Sequence, residues 1–281
     1  MDHDMQICIP SRSRPLNQKT IKGLSEELWP YITLVVPFDQ YIQYRQVTPM
    51  DVKILPFDGF GIAAKRQFML RLKESGKILM LDDDLKFYRR IEDGSRFLPT
   101  KPEQTVEMIN NICTLLGKYT MVGLADKFMS QSLPRGHIEC HRFNQTLCFN
   151  RDRFPKPWPE FRGLIAEEHD IMLQLITRGH KTAIITEYSK VDRPYSKGGC
   201  SDWRTTEIMM SEIERMAQLW PGIVTYTEYP ARKDGTRHPQ GYKVRFDWKA
   251  AVRQGEEYVH AHHNSNQGSN QPTTDTQPTP K

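Results

Sequence analysis

The sequence predicts an α/β domain: a mostly parallel central sheet covered by helices on both faces, with a C-terminal helix and hairpin extension. Three observations predict it. Short apolar runs rich in β-branched residues recur along the chain, stretches with helical apolar spacing separate them, and one such run, Lys77–Leu81, ends directly in Asp82-Asp83-Asp84. Strands alternating with helices in this way build right-handed βαβ units of Rossmann-like architecture, whose ligands lie at the carboxyl ends of the strands.

Each element has its own warrant. Met5–Pro10 is a short apolar strand that runs into Pro-Ser-Arg-Ser-Arg-Pro, residues 17–28 read as a helix, and residues 31–37 form a second, β-branched strand. Residues 52–55 give a third strand, followed by Asp-Gly-Phe-Gly and a helix over 62–73 with Ala64, Phe68 and Leu72 on one face. Lys77–Leu81 is the fourth strand. After Pro102, a helix over 103–118 turns Val106, Ile109, Ile112 and Leu116 inward, and residues 119–150 read as further short strands and loops. Pro155, Pro157 and Pro159 enforce an extended connection before a helix that begins near Ala166 and ends at Gly179. The last helix, 205–220, carries Ile208, Met209, Ile213, Met216 and Trp220 as a core stripe. Residues 223–249 have hairpin character around Lys233-Asp234-Gly235. From about His260 the chain is polar without a hydrophobic period, so the expected division is a domain over 1–258 and a disordered polar tail over 259–281. His260, His262 and His263 then belong to the tail rather than to a metal site.

Composition excludes several classes. With 38% hydrophobic and 26% charged residues, 17 Gly and 19 Pro in 281 residues, the chain is neither collagenous, coiled-coil nor wholly disordered, and it is long enough to bury a core without disulfides or metals. Five cysteines without Cys-x-x-Cys spacing argue against structural zinc and for a reducing compartment, which places the protein in the cytoplasm. No stretch approaches the roughly 18 apolar residues that cross a bilayer, so no membrane partner is expected. A net charge of +5, from 39 basic and 34 acidic residues, permits an anionic partner without demanding one.

The Asp triplet carries the most chemistry. Negative charge clustered at a strand end is costly unless a cation or donors compensate it; carboxylate oxygens suit Mg²⁺ or Mn²⁺, which neutralises a pyrophosphate. An acidic turn paired with Lys86, Arg89 and Arg90 would look the same. Upstream, Gly61-Ile62-Ala63-Ala64-Lys65-Arg66 opens a helix with two cations working against the helix dipole, and a diphosphate at the helix N-terminus gives a reason for them. Glu167, Glu168 and Asp170 crowd the first turn of a later helix, where a carboxylate is favoured by the dipole and is also placed to deprotonate a hydroxyl acceptor.

Taken in order, Ile9-Pro10-Ser11-Arg12, Gly61 through Arg66, Leu81-Asp82-Asp83-Asp84 and Ala166-Glu167-Glu168-His169-Asp170 resemble the GT-A glycosyltransferases over most of residues 5–200. More narrowly, the Pro-Ser-Arg-Ser-Arg-Pro opening and the Leu-Asp-Asp-Asp-Leu motif resemble the phage TET-associated glycosyltransferases, which glycosylate 5-hydroxymethylpyrimidines in phage DNA. The resemblance implies a GT-A domain, a UDP-sugar donor, Mn²⁺ or Mg²⁺, and hydroxymethylcytosine in double-stranded phage DNA as acceptor, modified in the infected cell's cytoplasm so that host nucleases are evaded. It implies that Pro10, Ser11, Arg12 and Asp39 border the nucleoside, that Lys65 and Arg66 approach the diphosphate, and that Asp82 and Asp83 position the donor. Asp84, with Asp82, then holds the metal, and Glu168, with Asp170 as substitute, is the base of an inverting transfer.

Other features stay open. His169, His180 and His238 have no decisive ligand spacing, and Gly198-Gly199-Cys200-Ser201 is a candidate closing loop or a plain turn. Tyr226, Tyr229, Tyr242, Phe246 and Trp248 interleave with Arg232, Lys233, Arg237, Lys243, Arg245 and Lys249, which suits nucleic acid and equally a half-buried hairpin; His137, His141, Arg142, Arg151 and Arg153 form a second basic group. Two other readings remain: a glycosyltransferase acting on a glycan, protein or small molecule, and a nucleotide-binding or nucleotidyl-transferring protein.

Overall fold

The computed structural model describes residues 4–92, 96–192, 204–230, 235, 238 and 241–267. Its strands are β1 (Met5–Pro10), β2 (Ile32–Pro37), β3 (Lys53–Phe57), β4 (Lys77–Leu81), β5 (Lys86–Arg90), β6 (Phe97–Pro99), β7 (Met121–Asp126), β8 (His137–Glu139), β9 (Thr146–Asn150), β10 (Thr182–Val191), β11 (Val224–Glu228) and β12 (Tyr242–Phe246). Its α-helices are α1 (Lys19–Gly23), α2 (Tyr41–Val47), α3 (Gly61–Arg71), α4 (Gln104–Leu116), α5 (Lys127–Ser130), α6 (Glu167–Ile176), α7 (Thr206–Leu219) and α8 (Trp248–Gln267).

Ten strands make one sheet in the order β3-β2-β1-β4-β9-β7-β10-β5-β6, with β8 added alongside β10. The half from β3 to β4 is parallel throughout; beyond it β9, β5 and β8 run against the rest, so seven of the ten strands share one direction. This is the mostly parallel α/β architecture that the sequence predicts. Side-chain alternation distributes the core over two faces. Ile7, Ile9, Leu79 and Leu81 pack with Met108, Ile109, Ile112 and Leu116 of α4, while Cys8, Ile78 and Met80 pack with Met69 and Leu70 of α3 and with Ile171, Met172 and Leu175 of α6. Among the described residues no helix is long and apolar enough to cross a membrane.

Several boundaries differ from the sequence reading. The helix expected over 17–28 splits into α1 and a 3₁₀ segment, Glu26–Tyr31, because the backbone turns extended at Leu24 (φ −90°, ψ 150°) and Ser25 (φ −59°, ψ 143°) between them. In α3 the buried face is Ala63, Lys65, Arg66, Met69 and Leu70, whereas of the expected stripe Phe68 and Leu72 are half-buried at its margin and Ala64 is exposed. The sequence reading did not assign β5, β6, β10, α2 or α8. The boundary expected at residue 258 falls inside α8, which continues to Gln267; residues 268–281 lie outside the described residues. Asp247 caps this helix, its Oδ1 accepting from the Ala250 N–H at 2.9 Å. Gly255 lets α8 cross α6 closely, for a Cβ there would fall 2.1 Å from the Ile176 carbonyl oxygen. A third apolar cluster, with Leu173, Ile176, Met216, Ile223, Val224 and Ala251, ties α7, α8 and the β11–β12 hairpin to α6.

Candidate functional site

The chemistry-bearing residues converge where β1 and β4 end. The Asp82 N–H donates to the Gln145 carbonyl at 3.0 Å, and the Asp82 and Asp83 carbonyls accept from the Thr20 hydroxyl and, at 3.1 Å, the Thr20 N–H. The triplet's backbone is therefore fixed, and its three carboxylates diverge to separate partners. Ser11, at the end of β1, donates to Asp83 Oδ2; its hydroxyl also meets the Tyr44 hydroxyl at 2.7 Å and accepts from Gln18 Nε2 at 2.8 Å. Arg14 Nη1 bridges Asp83 Oδ1 at 2.8 Å and Asp84 Oδ2 at 3.0 Å.

Arg66 organises the other side. Its Nη2 donates to Asp82 Oδ1 at 2.7 Å, and its Nη1 lies 2.5 Å from Glu167 Oε1 and 2.7 Å from Glu168 Oε1. Only 2% of the side chain is exposed. A planar guanidinium is suited to holding several carboxylates at once, and here it joins the end of β4 to the first turn of α6. Glu168 Oε1 also accepts from the Gln145 N–H at 2.8 Å, while no partner to Oε2 is found among the described residues. Gln145 has a left-handed backbone, φ 62°, and its side chain accepts from Lys190 and donates to Asp192 Oδ2 at 2.6 Å.

Five carboxylates thus meet two guanidiniums, and the imbalance shows in their proton affinities. Burial pushes the Asp82 carboxyl up, Arg66 draws it down, and Glu168 and Asp84 push it up again, to about 6. Burial likewise raises Glu167, to about 7, against the pull of Arg66 and with Glu168 adding to the rise. Burial also opposes ionisation of Glu168, but Arg66, the Gln145 N–H, His169 and Lys190 outweigh it and hold this carboxyl below its usual range. For Arg66, burial works against the charge, and Glu168, Asp82 and Glu167 overcome it.

Such excess negative charge fits a divalent cation. The described residues contain no preformed set of three His, Cys, Asp or Glu ligands. Mg²⁺ needs no such set: one or two carboxylates suffice when phosphate oxygens and water complete the shell. Asp82, a quarter exposed, and Asp84 fit that role, and an open cleft lined by Asp84, Lys19, Lys86, Tyr88, Val191 and Asp192 reaches the triplet.

The other expected residues fall into place unevenly. Pro10 ends β1 beside Ser11, and Arg12 is half-buried with no ion pair among the described residues. Asp39 is exposed in the 3₁₀ turn after β2, next to Gln40, whose Oε1 accepts from the Ser13 N–H at 2.7 Å. Lys65 and Arg66, expected at the diphosphate, are both buried, Lys65 Nζ donating to the Ser11 carbonyl at 2.9 Å and Arg66 meeting the carboxylates. Asp170, expected as the substitute base, lies away from Arg66 and the triplet's ion pairs. It is fully buried and accepts from Arg162 at 2.7 and 2.8 Å, from Trp220 Nε1 at 2.8 Å and from Gln174 at 3.0 Å, which makes it a structural anchor for α6. His169 packs on Phe246 at 4.7 Å between ring centroids, His180 lies near the Thr120 hydroxyl, and His238 stacks on Tyr229. Gly198 to Ser201 lie outside the described residues.

Arg14, Gln18, Tyr44, Gln145 and Lys190 are absent from the sequence reading. Arg14 had a signal, since Ser-Arg-Ser-Arg offers two arginines; the left-handed Ser13, φ 58°, decides between them by turning the chain so that the second one reaches the triplet. For Gln145 and Lys190 no local pattern exists, because β10 and the loop before β9 meet only in the fold.

The sequence profile of the TET-associated glycosyltransferases matches residues 5–199. Among solved structures, the chain is similar to S. aureus TarS 1-349, with 11% identity, 97% of this chain and 75% of that chain covered, and a TM-score of 0.47. It is also similar to glucosyl-3-phosphoglycerate synthase from Mycobacterium tuberculosis in complex with Mg²⁺ and uridine diphosphate, with 10% identity, 88% and 91% covered, and a TM-score of 0.48. No curated protein matches the chain significantly.

Proposed function

The chain belongs to the TET-associated glycosyltransferase family and is a nucleotide-sugar-dependent glycosyltransferase, and from that premise we propose that it moves a sugar from a UDP-sugar to the hydroxymethyl oxygen of 5-hydroxymethylcytosine in DNA. In a bacteriophage setting, within the cytoplasm of the infected cell, such a modification shields the DNA from nucleases.

The observation that carries the reading is the state of Glu168. One of its oxygens is fixed by Arg66 and the Gln145 N–H, its proton affinity is held low, and its other oxygen has no partner among the described residues. A carboxylate so placed takes the acceptor hydroxyl's proton as that oxygen bonds to the anomeric carbon, and a single displacement of this kind inverts the sugar. Asp84 and Asp82 would hold Mn²⁺ or Mg²⁺, which neutralises charge on the departing diphosphate. With Lys65 and Arg66 turned inward, Lys19 and Lys86 are the cations that line the cleft beside Asp84 for that diphosphate. Pro10, Ser11, Arg12 and Asp39 border the nucleoside, and Asp83 keeps Ser11 and Arg14 in place.

The test is nucleoside mass spectrometry of hydroxymethylcytosine-containing duplex DNA after incubation with the protein, Mn²⁺ and a panel of UDP-sugars. A mass gain of one hexose or pentose is expected. Glu168→Gln retains donor binding and loses turnover on the order of 10²–10⁴-fold, and Asp84→Ala loses metal-dependent donor binding. UDP release without a gain on DNA would move the acceptor elsewhere.

A further inference from the structure

We propose that the β11–β12 ribbon is the element that enters the major groove of the acceptor duplex, an inference that rests on the reading of DNA as acceptor. The ribbon lies outside the 5–199 segment that matches the family. Its two faces are chemically opposite. The register pairs Val224 with Phe246, Tyr226 with Val244 and Glu228 with Tyr242 on one face, and Thr225 with Arg245 and Thr227 with Lys243 on the other.

The first face is occupied at Val224, Val244, Phe246 and Tyr242, with Tyr226 and Glu228 exposed at its outer end. Val224, Val244 and Phe246 pack with Met216 of α7, the Tyr242 hydroxyl donates to Glu214 of α7 at 2.7 Å, and the Tyr226 and Tyr242 rings lie 4.5 Å apart. The aromatic residues of the hairpin therefore serve packing, which separates them from the basic residues that the sequence interleaves with them. The second face is exposed at all four positions, Thr225, Thr227, Lys243 and Arg245. It carries two hydroxyls and two cations and no carboxylate; Glu228 is on the opposite face, and Asp247 caps α8 at the ribbon's foot, near Arg245.

A two-stranded antiparallel ribbon fits the B-DNA major groove, and cations with hydroxyls are the side chains that meet phosphates and base edges there. The C5 substituent of a pyrimidine projects into that same groove. Phe246, at the ribbon's end and on its packed face, packs on His169, the residue after Glu168, which sets the foot of the ribbon against the first turn of α6.

The experiment compares wild type with the Lys243→Ala/Arg245→Ala double variant, and with Lys101→Ala/Lys118→Ala as a charge-matched control at exposed positions. Fluorescence anisotropy on a hydroxymethylcytosine duplex reads affinity across a salt series, and calorimetry reads UDP-sugar binding. Each phosphate contact contributes about 0.9 to the salt slope, so the ribbon variant should lose about 1.8 of slope and on the order of 10–100-fold in affinity at 0.1 M salt. Its UDP-sugar binding stays at the wild-type level, which shows that it folds. Methyl green, a major-groove ligand, should displace wild type, and netropsin, a minor-groove ligand, should not. An unchanged slope and affinity in the ribbon variant, or displacement by netropsin alone, overturns the ribbon while leaving DNA as acceptor. Wild type that neither binds nor modifies the duplex overturns the acceptor reading and the ribbon with it.

Discussion

Two arginines, each almost wholly buried, sit at opposite ends of the same sheet in opposite surroundings. Arg66, beside the carboxyl end of β4, has carboxylates on both terminal nitrogens. Arg151 follows β9, antiparallel to β4, so it lies at the amino end of that strand, its N–H donating to the Gly76 carbonyl. Its guanidinium is as buried as that of Arg66, yet none of its three nitrogens has a hydrogen-bond partner among the described residues. It lies 4.0 Å from the Trp158 ring centroid and 5.6 Å from that of Phe154. Burial lowers the Arg151 pKa against the weak pull of Glu74 and Asp152, whereas carboxylates carry Arg66 above its usual value. Burial alone therefore says little about an arginine's work. What surrounds the charge separates an arginine that assembles a site from one that fills a corner of the core.

The sharpest way to break this comparison is to remove Arg66. Arg66→Ala leaves Asp82, Glu167 and Glu168 without their shared cation, and breaking a buried pair from one side costs about 3–5 kcal/mol. Denaturant unfolding should show that loss, and sugar transfer should vanish. Arg66→Lys restores a charge but not a fork that spans Asp82 on one nitrogen and two glutamates on the other, so it should recover part of the stability and little of the turnover. Wild-type stability in Arg66→Ala would mean that the carboxylates, not the arginine, organise the cluster.

A second, smaller effect comes from Glu167, which the proposed chemistry does not use. The folded protein holds its proton up to about pH 7, whereas a glutamate in the unfolded chain releases it near its ordinary value of 4.5. Between those values the native state binds more protons, so stability falls as pH rises across the window. Glu167→Gln removes the titration and should flatten that part of the curve, by on the order of 1–3 kcal/mol. Thermal melts at pH 5 and pH 8 check the sign: wild type should melt lower at pH 8, with a smaller difference in the variant. An equal difference in both would assign the slope to another group.

How much of this was legible in the sequence also divides along the two arginines. The strand Lys77–Leu81 and its Asp triplet were readable because a continuous apolar run ending in three acids has few other structural meanings. The clustering of Glu167 and Glu168 at a helix start was readable for the same reason. The direction of Arg66 was not, although a trace exists: Ala63, Arg66, Met69 and Leu70 share the spacing of one buried helix face. Hydrophobic periodicity passes over a charged residue on such a face, because the carboxylates that compensate it come from β4 and α6. Arg151 gave still less, since Trp158 stands beyond a proline-rich connection that no period describes. Helix α8 was missed because its charged, alanine-rich sequence acquires a buried face only where Gly255 meets α6.

The smallest predicted effect is at Arg151 itself. Its guanidinium contributes aromatic contact but no hydrogen bond among the described residues, and it bears the cost of a desolvated charge. Replacing it by methionine keeps a long, adaptable side chain against Trp158 and Phe154, trading a cation–π contact of about 1–2 kcal/mol for relief of a comparable desolvation penalty. Arg151→Met should therefore lie within about 1 kcal/mol of wild type in denaturant unfolding and leave donor binding and transfer unchanged, in direct contrast to Arg66→Ala. A loss approaching that of Arg66→Ala would show that aromatic faces hold a buried guanidinium as firmly as carboxylates do, and the distinction between the two ends of the sheet would then rest on Glu168 and its neighbours alone.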